Sequence, residues 1–202
     1  MIRVDAAWVY AGIPKRRQET HKGDYGRALL VCGSMHYTGA PFFSAQAAVN
    51  TGSGLVYLAV PRGIYPILAA KVNEPIFLPL AEDPFGGIER SALGEILDRA
   101  AKMDVCLVGP GLGRGDSAAY VIRSLIANLT CPMVLDADAL FVVANAPECL
   151  RTAKGSLVLT PHAGELVRLI GNKSPVAFAK EYGVTLVCKR HETVTICPDG
   201  TE

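Results

Sequence analysis

The sequence is short of charge and has almost no excess of either sign. Only 19% of its 202 residues are charged, and 20 Lys and Arg stand against 19 Asp and Glu, a formal net charge of +1. Chains that bind nucleic acid or an anionic membrane through a basic patch usually carry a clear positive excess. We therefore expect no nucleic-acid partner and no membrane partner. Half of the residues are hydrophobic, which excludes a disordered chain.

A long apolar run and a closely spaced cysteine pair are also missing. No stretch approaches the ~18 consecutive apolar residues of a transmembrane helix, and the amino terminus lacks the apolar core of a secretory signal. None of the six cysteines forms a Cys-x-x-Cys pair, and four lie in or beside apolar runs: Cys32, Cys106, Cys188 and Cys197. We expect buried free thiols, which indicate a reducing, cytoplasmic compartment.

Short apolar runs alternate with helical patterns along the chain. Continuous runs of Val, Leu and Ile are typical of parallel strands covered on both faces by helices. We predict strands at residues 27–32, 55–60, 76–80, 105–108, 133–135, 157–159, 184–188 and 194–197. We predict helices at residues 41–50, 91–102, 116–129, 139–144, 164–170 and 176–182. The expected fold is a single α/β domain over residues 1–202 with a mostly parallel sheet.

Residues with chemical uses gather where the predicted strands lead into the next elements. In an open parallel sheet, ligands bind in the crevice outside the carboxyl ends of the strands. The relevant junctions are residues 33–41, 109–115, 136–140, 160–165 and 189–193, which contain glycine, aspartate, histidine and lysine. The junctions that lead into the strands, such as residues 101–103, contain fewer residues of these types. We therefore expect a polar cleft along one edge of the sheet.

Two of these junctions contain glycines that can bring the backbone close to a ligand. Residues 109–115, GPGLGRG, can expose amide N–H groups near the start of a helix, which suits phosphate. The alternative is a tight turn that needs positive φ. The segment matches neither GxGxxG nor GxxxxGK[ST]. Residues 33–41 can admit a bulky ligand beside the next helix, or serve only to pack that helix on the sheet.

Several polar side chains at the junctions are candidates for chemistry. Asp136 follows a strand directly, where a carboxylate can hold hydrated Mg²⁺ or accept a proton, whereas Asp138 can do the same or cap the next helix. His162 can polarise a ligand oxygen or be structural, while Glu165 favours the amino end of its helix through its charge. Lys189 can neutralise a nucleotide phosphate or remain solvated.

Taken together and in order, the junctions resemble the NAD(P)H-hydrate dehydratase family. The segments that carry the resemblance are residues 21–61, VGPGLGRG at 108–115, LDADAL at 135–140, TPHAGE at 160–165 and residues 187–200. They cover nearly the whole chain. The family is ribokinase-like and was formerly grouped as carbohydrate-kinase-related. The resemblance therefore implies a three-layer ribokinase-like fold, with helices on both faces of a mostly parallel sheet.

The resemblance also implies an activity that repairs nicotinamide nucleotides. The S epimer of hydrated NADH or NADPH would lose water and return to NAD(P)H, after ADP or ATP phosphorylates the added hydroxyl with the help of Mg²⁺. Contacts with the hydrated cofactor are implied for Ala40, Gly113 and His162, and we add Gly111 and Asp136 to this substrate-binding set. The residues implied to line the adenine nucleotide are Lys189, Arg190, His191, Glu192 and Thr193. The apolar residues of the predicted helices favour a homo-oligomer.

The chain departs from the family pattern in three ways. The family's GxGD segment, whose aspartate is the expected catalytic base, has no counterpart in these 202 residues, so no catalytic residue is assigned. The stretch between Glu165 and Lys189 is shorter than usual. Arg190 stands where glycine is common and can crowd the nucleotide. We expect the domain to be incomplete at its carboxyl end, and the intact protein to have a mass above 21.4 kDa.

Two other functions remain open at this point. A ribokinase-like kinase that acts on a sugar or vitamin alcohol would leave a stable phosphorylated product instead of releasing inorganic phosphate. A nucleotide-binding remnant without catalysis would bind ADP without turnover, and the missing GxGD segment favours that reading if the chain ends at Glu202.

Overall fold

The computed structural model describes residues 2–13 and 15–202. The strands are β1 (Arg27–Val31), β2 (Leu55–Pro61), β3 (Ile76–Leu80), β4 (Val105–Val108), β5 (Met133–Leu135), β6 (Leu157–Leu159), β7 (Thr185–Cys188) and β8 (Val194–Ile196). The helices are α1 (Ala6–Gly12), α2 (Gly39–Asn50), α3 (Tyr65–Ala69), α4 (Leu93–Ala100), α5 (Asp116–Asn128), α6 (Asp138–Asn145), α7 (Ala163–Ile170) and α8 (Pro175–Tyr182). Four short 3₁₀ helices complete them: Lys22–Tyr25, Arg62–Ile64, Arg90–Ala92 and Pro147–Thr152.

The eight strands form one sheet in the order β3-β2-β1-β4-β5-β6-β7-β8. All neighbours are parallel except β7 and β8, which are antiparallel. From β1 the chain first adds strands on one side, where Arg27 lies opposite Leu55, and then crosses to the other, where Val31 lies opposite Val108. This reversal of strand order between β1 and β4 opens a crevice above the carboxyl ends of the two strands.

Helices cover both faces of the sheet, because alternate residues of a strand point to opposite faces. Leu29 and Val31 of β1 belong to the larger core, which is completed by residues of α4 to α8. Leu30 and Cys32 belong to a smaller core with residues of α2 and α3. Toward β7 one face is covered less completely, and alternate strand residues there are only half-buried: Leu107, Val134, Val158 and Val187.

The eight strands and six longer helices lie where the sequence predicts them, with ends that differ by up to two residues. The α/β fold with a mostly parallel sheet is confirmed. Helices α1 and α3 were not predicted, because helices of seven and five residues are too short to produce a clear apolar period. None of the described helices is both long and apolar enough to cross a membrane.

The six cysteines are free, but the prediction that they are buried holds for only three of them. Cys106 and Cys188 are buried within β4 and β7, and Cys32 is buried directly after β1. Cys131, Cys149 and Cys197 are only half-buried. Burial raises the pKa of the Cys32 thiol to about 12. A hydrogen bond from the Cys106 thiol lowers the pKa of Cys131 to about 7, which favours the reactive thiolate at neutral pH.

We predict that Cys131 is the first cysteine to react with iodoacetamide near neutral pH. Its thiolate is stabilised by the Cys106 thiol, so the rate should rise with pH through about 7. Mass spectrometry of the alkylated peptides measures this order. Cys131→Ser should remove the fast phase, and the control Cys197→Ser should keep it. A fast phase that survives Cys131→Ser would contradict the assignment.

Candidate active site

The candidate site lies along the carboxyl edge of the sheet and is built from the segments after β1, β3, β4, β5, β6 and β7. The loop after β1 is joined to the loop after β4 by a backbone hydrogen bond from Gly33 N to Pro110 O of 2.8 Å. It is joined to the loop after β3 by another from Met35 N to Gly86 O of 2.9 Å. These bonds join the loops after β1, β3 and β4 into one surface.

The glycine loop after β4 requires glycine for two separate reasons. Gly109, Gly111 and Gly113 have φ values of +128°, +69° and +84°, a region that other residues rarely adopt. In addition, a Cβ on Gly109 would lie 1.9 Å from the carbonyl oxygen of Asp136. The tight-turn interpretation is therefore correct, and the turn also presses the end of β4 against the end of β5.

Asp138 fixes the glycine loop with its buried carboxylate. The side chain is 11% exposed; Oδ2 accepts a hydrogen bond of 2.9 Å from Gly113 N, and Oδ1 accepts one of 2.9 Å from Arg114 Nε. The prediction that Asp138 caps the next helix is wrong: α6 begins at Asp138 itself, and Ala137 is the N-cap residue. Ala137 has φ 52° and ψ −116°, a strained conformation for a residue with a Cβ.

Ala40 and Gly111, two predicted substrate contacts, lie side by side. Ala40 is in the first turn of α2 and is half-buried. A Cβ built on Gly111 would lie 3.0 Å from the Ala40 Cβ and 2.7 Å from the Tyr37 Cβ. The backbone of the glycine loop therefore packs directly on the amino end of α2. Gly113, further along the loop, has nothing within 4 Å of a Cβ built on it and is open on that side.

His162 combines a structural role with an exposed nitrogen. It is the N-cap residue of α7, and Nδ1 accepts hydrogen bonds of 3.0 Å from Gly164 N and 3.4 Å from Glu165 N. The Glu165 carboxylate in turn accepts a bond of 2.9 Å from His162 N, which completes a capping box. The imidazole is 62% exposed, and Nε2 lies 3.5 Å from Glu165 Oε2, so a ligand can reach Nε2 but shares it with that carboxylate.

Asp136 and Lys189 form an ion pair across the ends of β5 and β7. Lys189 Nζ donates to Asp136 Oδ1 at 2.9 Å, and both side chains are partly exposed. Lys189 N donates to Pro161 O at 2.9 Å, and an isolated parallel bridge joins Lys189 to His162. Three of the predicted site residues thus lie close together, at the end of the sheet opposite Ala40.

The four residues after Lys189 form the exposed connection between β7 and β8. They are Arg190, His191, Glu192 and Thr193. None of their side chains makes a hydrogen bond to another residue in the described part of the chain. Their predicted contact with a nucleotide therefore remains a prediction. Within residues 2–13 and 15–202, no three His, Cys, Asp or Glu side chains cluster as a metal site.

A sequence model of the family described as NAD(P)H-hydrate dehydratase matches residues 28–201. The chain belongs to this family. A bifunctional NAD(P)H-hydrate repair enzyme from Moorella thermoacetica is 40% identical over 96% of the chain, and an ADP-dependent (S)-NAD(P)H-hydrate dehydratase from Listeria monocytogenes is 33% identical over 91%. The chain spans only 39% and 64%, respectively, of the lengths of these two relatives.

Solved structures support the fold of this NAD(P)H-hydrate dehydratase family member. The ADP/ATP-dependent NAD(P)H-hydrate dehydratase from Bacillus subtilis, co-crystallised with ATP and Mg²⁺, matches 96% of the chain and 68% of its own, with a TM-score of 0.71 and 27% identity. A ribokinase-like superfamily protein from Enterococcus faecalis V583 matches 91% of the chain and 64% of its own, with a TM-score of 0.74 and 23% identity. The predicted ribokinase-like fold is confirmed.

One part of the site was missed from the sequence of this dehydratase-family chain. A pocket of about 300 Å³ lies between the loops after β1, β3 and β4. Its lining includes Ser34, Tyr37, Asp83, Phe85, Leu112 and Gly113. The loop after β3 contributes Asp83 and Phe85, and its Asp-Pro-Phe-Gly-Gly sequence is a turn signal that was not connected with the site.

We predict that Asp138→Ala lowers the free energy of unfolding by about 2 kcal/mol, because it leaves the Gly113 amide and Arg114 without a buried anionic partner. It should also speed tryptic cleavage after Arg114. Urea denaturation and limited proteolysis measure the two effects. The control Asp116→Ala removes an exposed carboxylate from the same region and should change stability by less than about 1 kcal/mol. Equal effects of the two substitutions would contradict this role for Asp138.

Proposed function

We propose that the protein takes part in dehydrating the S epimer of hydrated NADH or NADPH, with ADP or ATP as the phosphoryl donor. The observation that carries this proposal is the continuous edge that runs from Ala40 through the glycine loop to Asp136, His162 and Lys189. A dinucleotide and a phosphoryl donor need such an extended crevice, because both must bind at once. The reaction itself is proposed from the relatives in Listeria and Bacillus, which are NAD(P)H-hydrate dehydratases that depend on ADP or ATP.

The nucleotide is proposed to bind at the β7 end of the edge. Lys189 provides a cation there, and its partner Asp136 is itself only partly buried, so a phosphate group can share the ammonium without displacing a buried ion pair. The exposed residues 190–193 are close enough in sequence to line the same nucleotide. Arg190 adds a second positive charge on this segment, which favours a polyanion.

The hydrated ring is proposed to lie between His162 and the glycine loop. Nδ1 of His162 accepts two backbone hydrogen bonds, so in the neutral imidazole the proton is on Nε2. Nε2 can therefore donate to a hydroxyl or phosphate oxygen of the substrate. Gly113, which has no neighbour on its Cβ side, lets the substrate approach the backbone closely.

Mg²⁺ fits this edge as an ion that is held mainly by phosphates and water. The proposed nucleotide site has two carboxylates, Asp136 and Glu192. Asp136 Oδ1 contacts Lys189, and its Oδ2 has no hydrogen-bond partner among the described residues. Mg²⁺ typically uses one or two carboxylates together with substrate phosphates. When bound, the ion would neutralise charge on the transferred phosphoryl group.

The residues of the chain would act by positioning and by electrostatic stabilisation. Lys189 would hold phosphate oxygens, His162 would donate to the substrate, and the rigid glycine loop would keep the acceptor hydroxyl in line with the donor. Phosphorylation of the hydroxyl would convert ATP to ADP, or ADP to AMP, and release the hydroxyl proton to solvent. Inorganic phosphate would then leave with the electrons of the C–O bond, and a proton from the adjacent ring carbon would pass to water, which restores the ring double bond.

We also infer a cytoplasmic location and a homo-oligomeric assembly. The six thiols, none of them in a disulfide, favour a reducing compartment. Large exposed apolar side chains favour association with another copy: Trp8, Tyr10, Phe43 and Phe85 are each more than half exposed.

The activity is tested by mixing the intact protein with hydrated NADH, Mg²⁺ and either ADP or ATP. The near-ultraviolet absorbance of the reduced nicotinamide should return only when a nucleotide is present, together with one inorganic phosphate per ring restored. The better of the two nucleotides identifies the donor. A stable phosphorylated product would instead indicate a kinase, and ADP binding without any turnover would indicate a non-catalytic nucleotide-binding protein.

We predict that His162→Asn separates the two roles of this residue. Asparagine is a good N-cap, so the variant should unfold within about 0.5 kcal/mol of the wild type, whereas His162→Ala should lose about 1 kcal/mol. Because asparagine has no group at the position of Nε2, the activity of His162→Asn should fall at least tenfold. Denaturation and steady-state kinetics measure the two effects. Full activity of His162→Asn would show that His162 acts only as the N-cap of α7.

A further inference from the structure

Two cysteine thiols that have no part in the proposed reaction lie against each other between β4 and β5. Cys106 is the second residue of β4, and Cys131 lies two residues before β5. Cys106 lies opposite Met133 in the sheet, and its N donates to Pro132 O at 3.0 Å. Cys131 packs against the core cluster that contains Cys106, and the Cys106 thiol donates a hydrogen bond to the Cys131 sulfur.

The backbone of Cys131 is held from both sides, so its sulfur stays beside Cys106. On the side of β4 it is held through the hydrogen bond that Pro132 accepts. On the side of β6, a Cβ on Gly155 would collide with Cys131 O and lie 2.8 Å from Thr130 O, which shows how closely the two segments approach each other.

The pair lies away from the candidate site. The site is built from segments that follow the strands, whereas Cys106 is near the start of β4 and Cys131 precedes β5. These positions are at the amino edge of the parallel sheet. Chemistry at the two sulfur atoms is therefore separate from the crevice.

The two thiols differ in their access to solvent. Cys106 is 0% exposed, whereas Cys131 is half-buried. A small oxidant in solution can reach Cys131, but the Cys106 sulfur is accessible only to its neighbour. An accessible thiol beside a second thiol that can attack its oxidised form is the usual arrangement of a redox-sensitive cysteine pair.

The surroundings of Cys131 favour the thiolate, which is the form that reacts with peroxides. The hydrogen bond from Cys106 lowers the pKa of Cys131 to about 7, although burial and the Asp104 carboxylate act in the opposite direction. Asp104 Oδ2 accepts a hydrogen bond of 2.7 Å from Arg27 N, which engages part of its charge. Roughly half of Cys131 is therefore ionised near pH 7.

We propose that Cys131 and Cys106 form a peroxide-sensitive pair, in which Cys131 is oxidised first and Cys106 then closes a disulfide between the starts of β4 and β5. This inference is independent of the function proposed above. The disulfide would protect Cys131 from further oxidation to sulfinic acid, which is irreversible for most proteins.

The oxidant is hydrogen peroxide, and the reaction has two steps. The Cys131 thiolate attacks the peroxide: an S–O bond forms, the O–O bond breaks, and the hydroxide that leaves takes up a proton to become water. The Cys106 sulfur then attacks the sulfenic acid: an S–S bond forms, the S–O bond breaks, and hydroxide leaves as water with the Cys106 proton. The two sulfur atoms lose two electrons, and the peroxide is reduced to two molecules of water.

Mass spectrometry of the peroxide-treated intact protein tests the pairing. Reduced wild-type protein is treated with a small excess of hydrogen peroxide near pH 7, its remaining thiols are blocked with N-ethylmaleimide, and it is digested with trypsin without reduction. The expected product is a cross-link between peptides 103–114 and 124–151, which fragmentation assigns to Cys131 and not to Cys149. Dithiothreitol should restore both thiols.

The rate of the first step gives a second measurement. A pKa of about 7 instead of 9.0 raises the thiolate fraction near pH 7 roughly fiftyfold, and the lower nucleophilicity of such a thiolate offsets roughly tenfold of this gain. Cys131 should therefore be oxidised at least about fivefold faster than Cys149, which is also half-buried but has its pKa raised by burial.

Cys106→Ser separates the two steps. Serine removes the attacking sulfur and keeps a hydroxyl that can donate to Cys131. Peroxide should then leave Cys131 as a sulfenic acid that dimedone traps, and longer exposure should convert it to sulfinic acid. Cys106→Ala should give the same adduct more slowly, because the hydrogen-bond donor is lost. The matched control Cys149→Ser removes another thiol and should leave the cross-link unchanged.

Four results with the wild-type protein would overturn the proposal, and none of them depends on the folding of a variant. They are sulfinic acid at Cys131 while Cys106 remains a free thiol, a cross-link of Cys131 to Cys149 or to another copy, a cross-link of Cys106 to Cys32, and oxidation of Cys131 no faster than that of Cys149. None of these measurements requires turnover, so they stand apart from the test of the repair reaction.

Discussion

The close approach of β4 and β5 at Gly109 is the constraint on which the site depends. With no side chain at this position, the end of β4 lies against the carbonyl oxygen of Asp136, at a distance that a Cβ would make impossible. The glycine loop that follows is then near enough for the Asp138 carboxylate to hold its Gly113 amide. The absence of a Cβ at Gly109 thus determines where the glycine loop lies. The loop in turn forms one wall of the crevice.

Side chains at this edge serve both the structure and the proposed chemistry. His162 uses one ring nitrogen to start α7 and leaves the other exposed, so its orientation is fixed before a ligand arrives. Ala137, between Asp136 and Asp138, has a strained backbone conformation. The Asp136 carboxylate contacts Lys189, whereas the Asp138 carboxylate binds the glycine loop. Preorganisation of this kind reduces the cost of ordering the site when substrate binds.

The sequence was sufficient to predict the strands and the edge where they end, because buried strands produce continuous apolar runs and loops are marked by glycine and proline. It could not show which loop residues touch each other. Asp138 and Arg114 meet across two strands, and no spacing rule connects them, so a helix cap was the natural expectation. Ser34 was also missed, because a small polar residue in a glycine-rich loop gives no sign of whether it finds a partner.

The reversal of strand order between β1 and β4 has a consequence for folding. Strands β1, β2 and β3 are close in sequence and can pair early, whereas the pairing of Val31 with Val108 closes a long loop and is expected to be slow. The crevice exists only after this pairing, since its walls come from both sides of the reversal. A ligand in the crevice would therefore stabilise the pairing of β1 with β4. It would oppose the separation of β1–β3 from β4–β8 more strongly than it would oppose fraying of the outer strands β3 and β8.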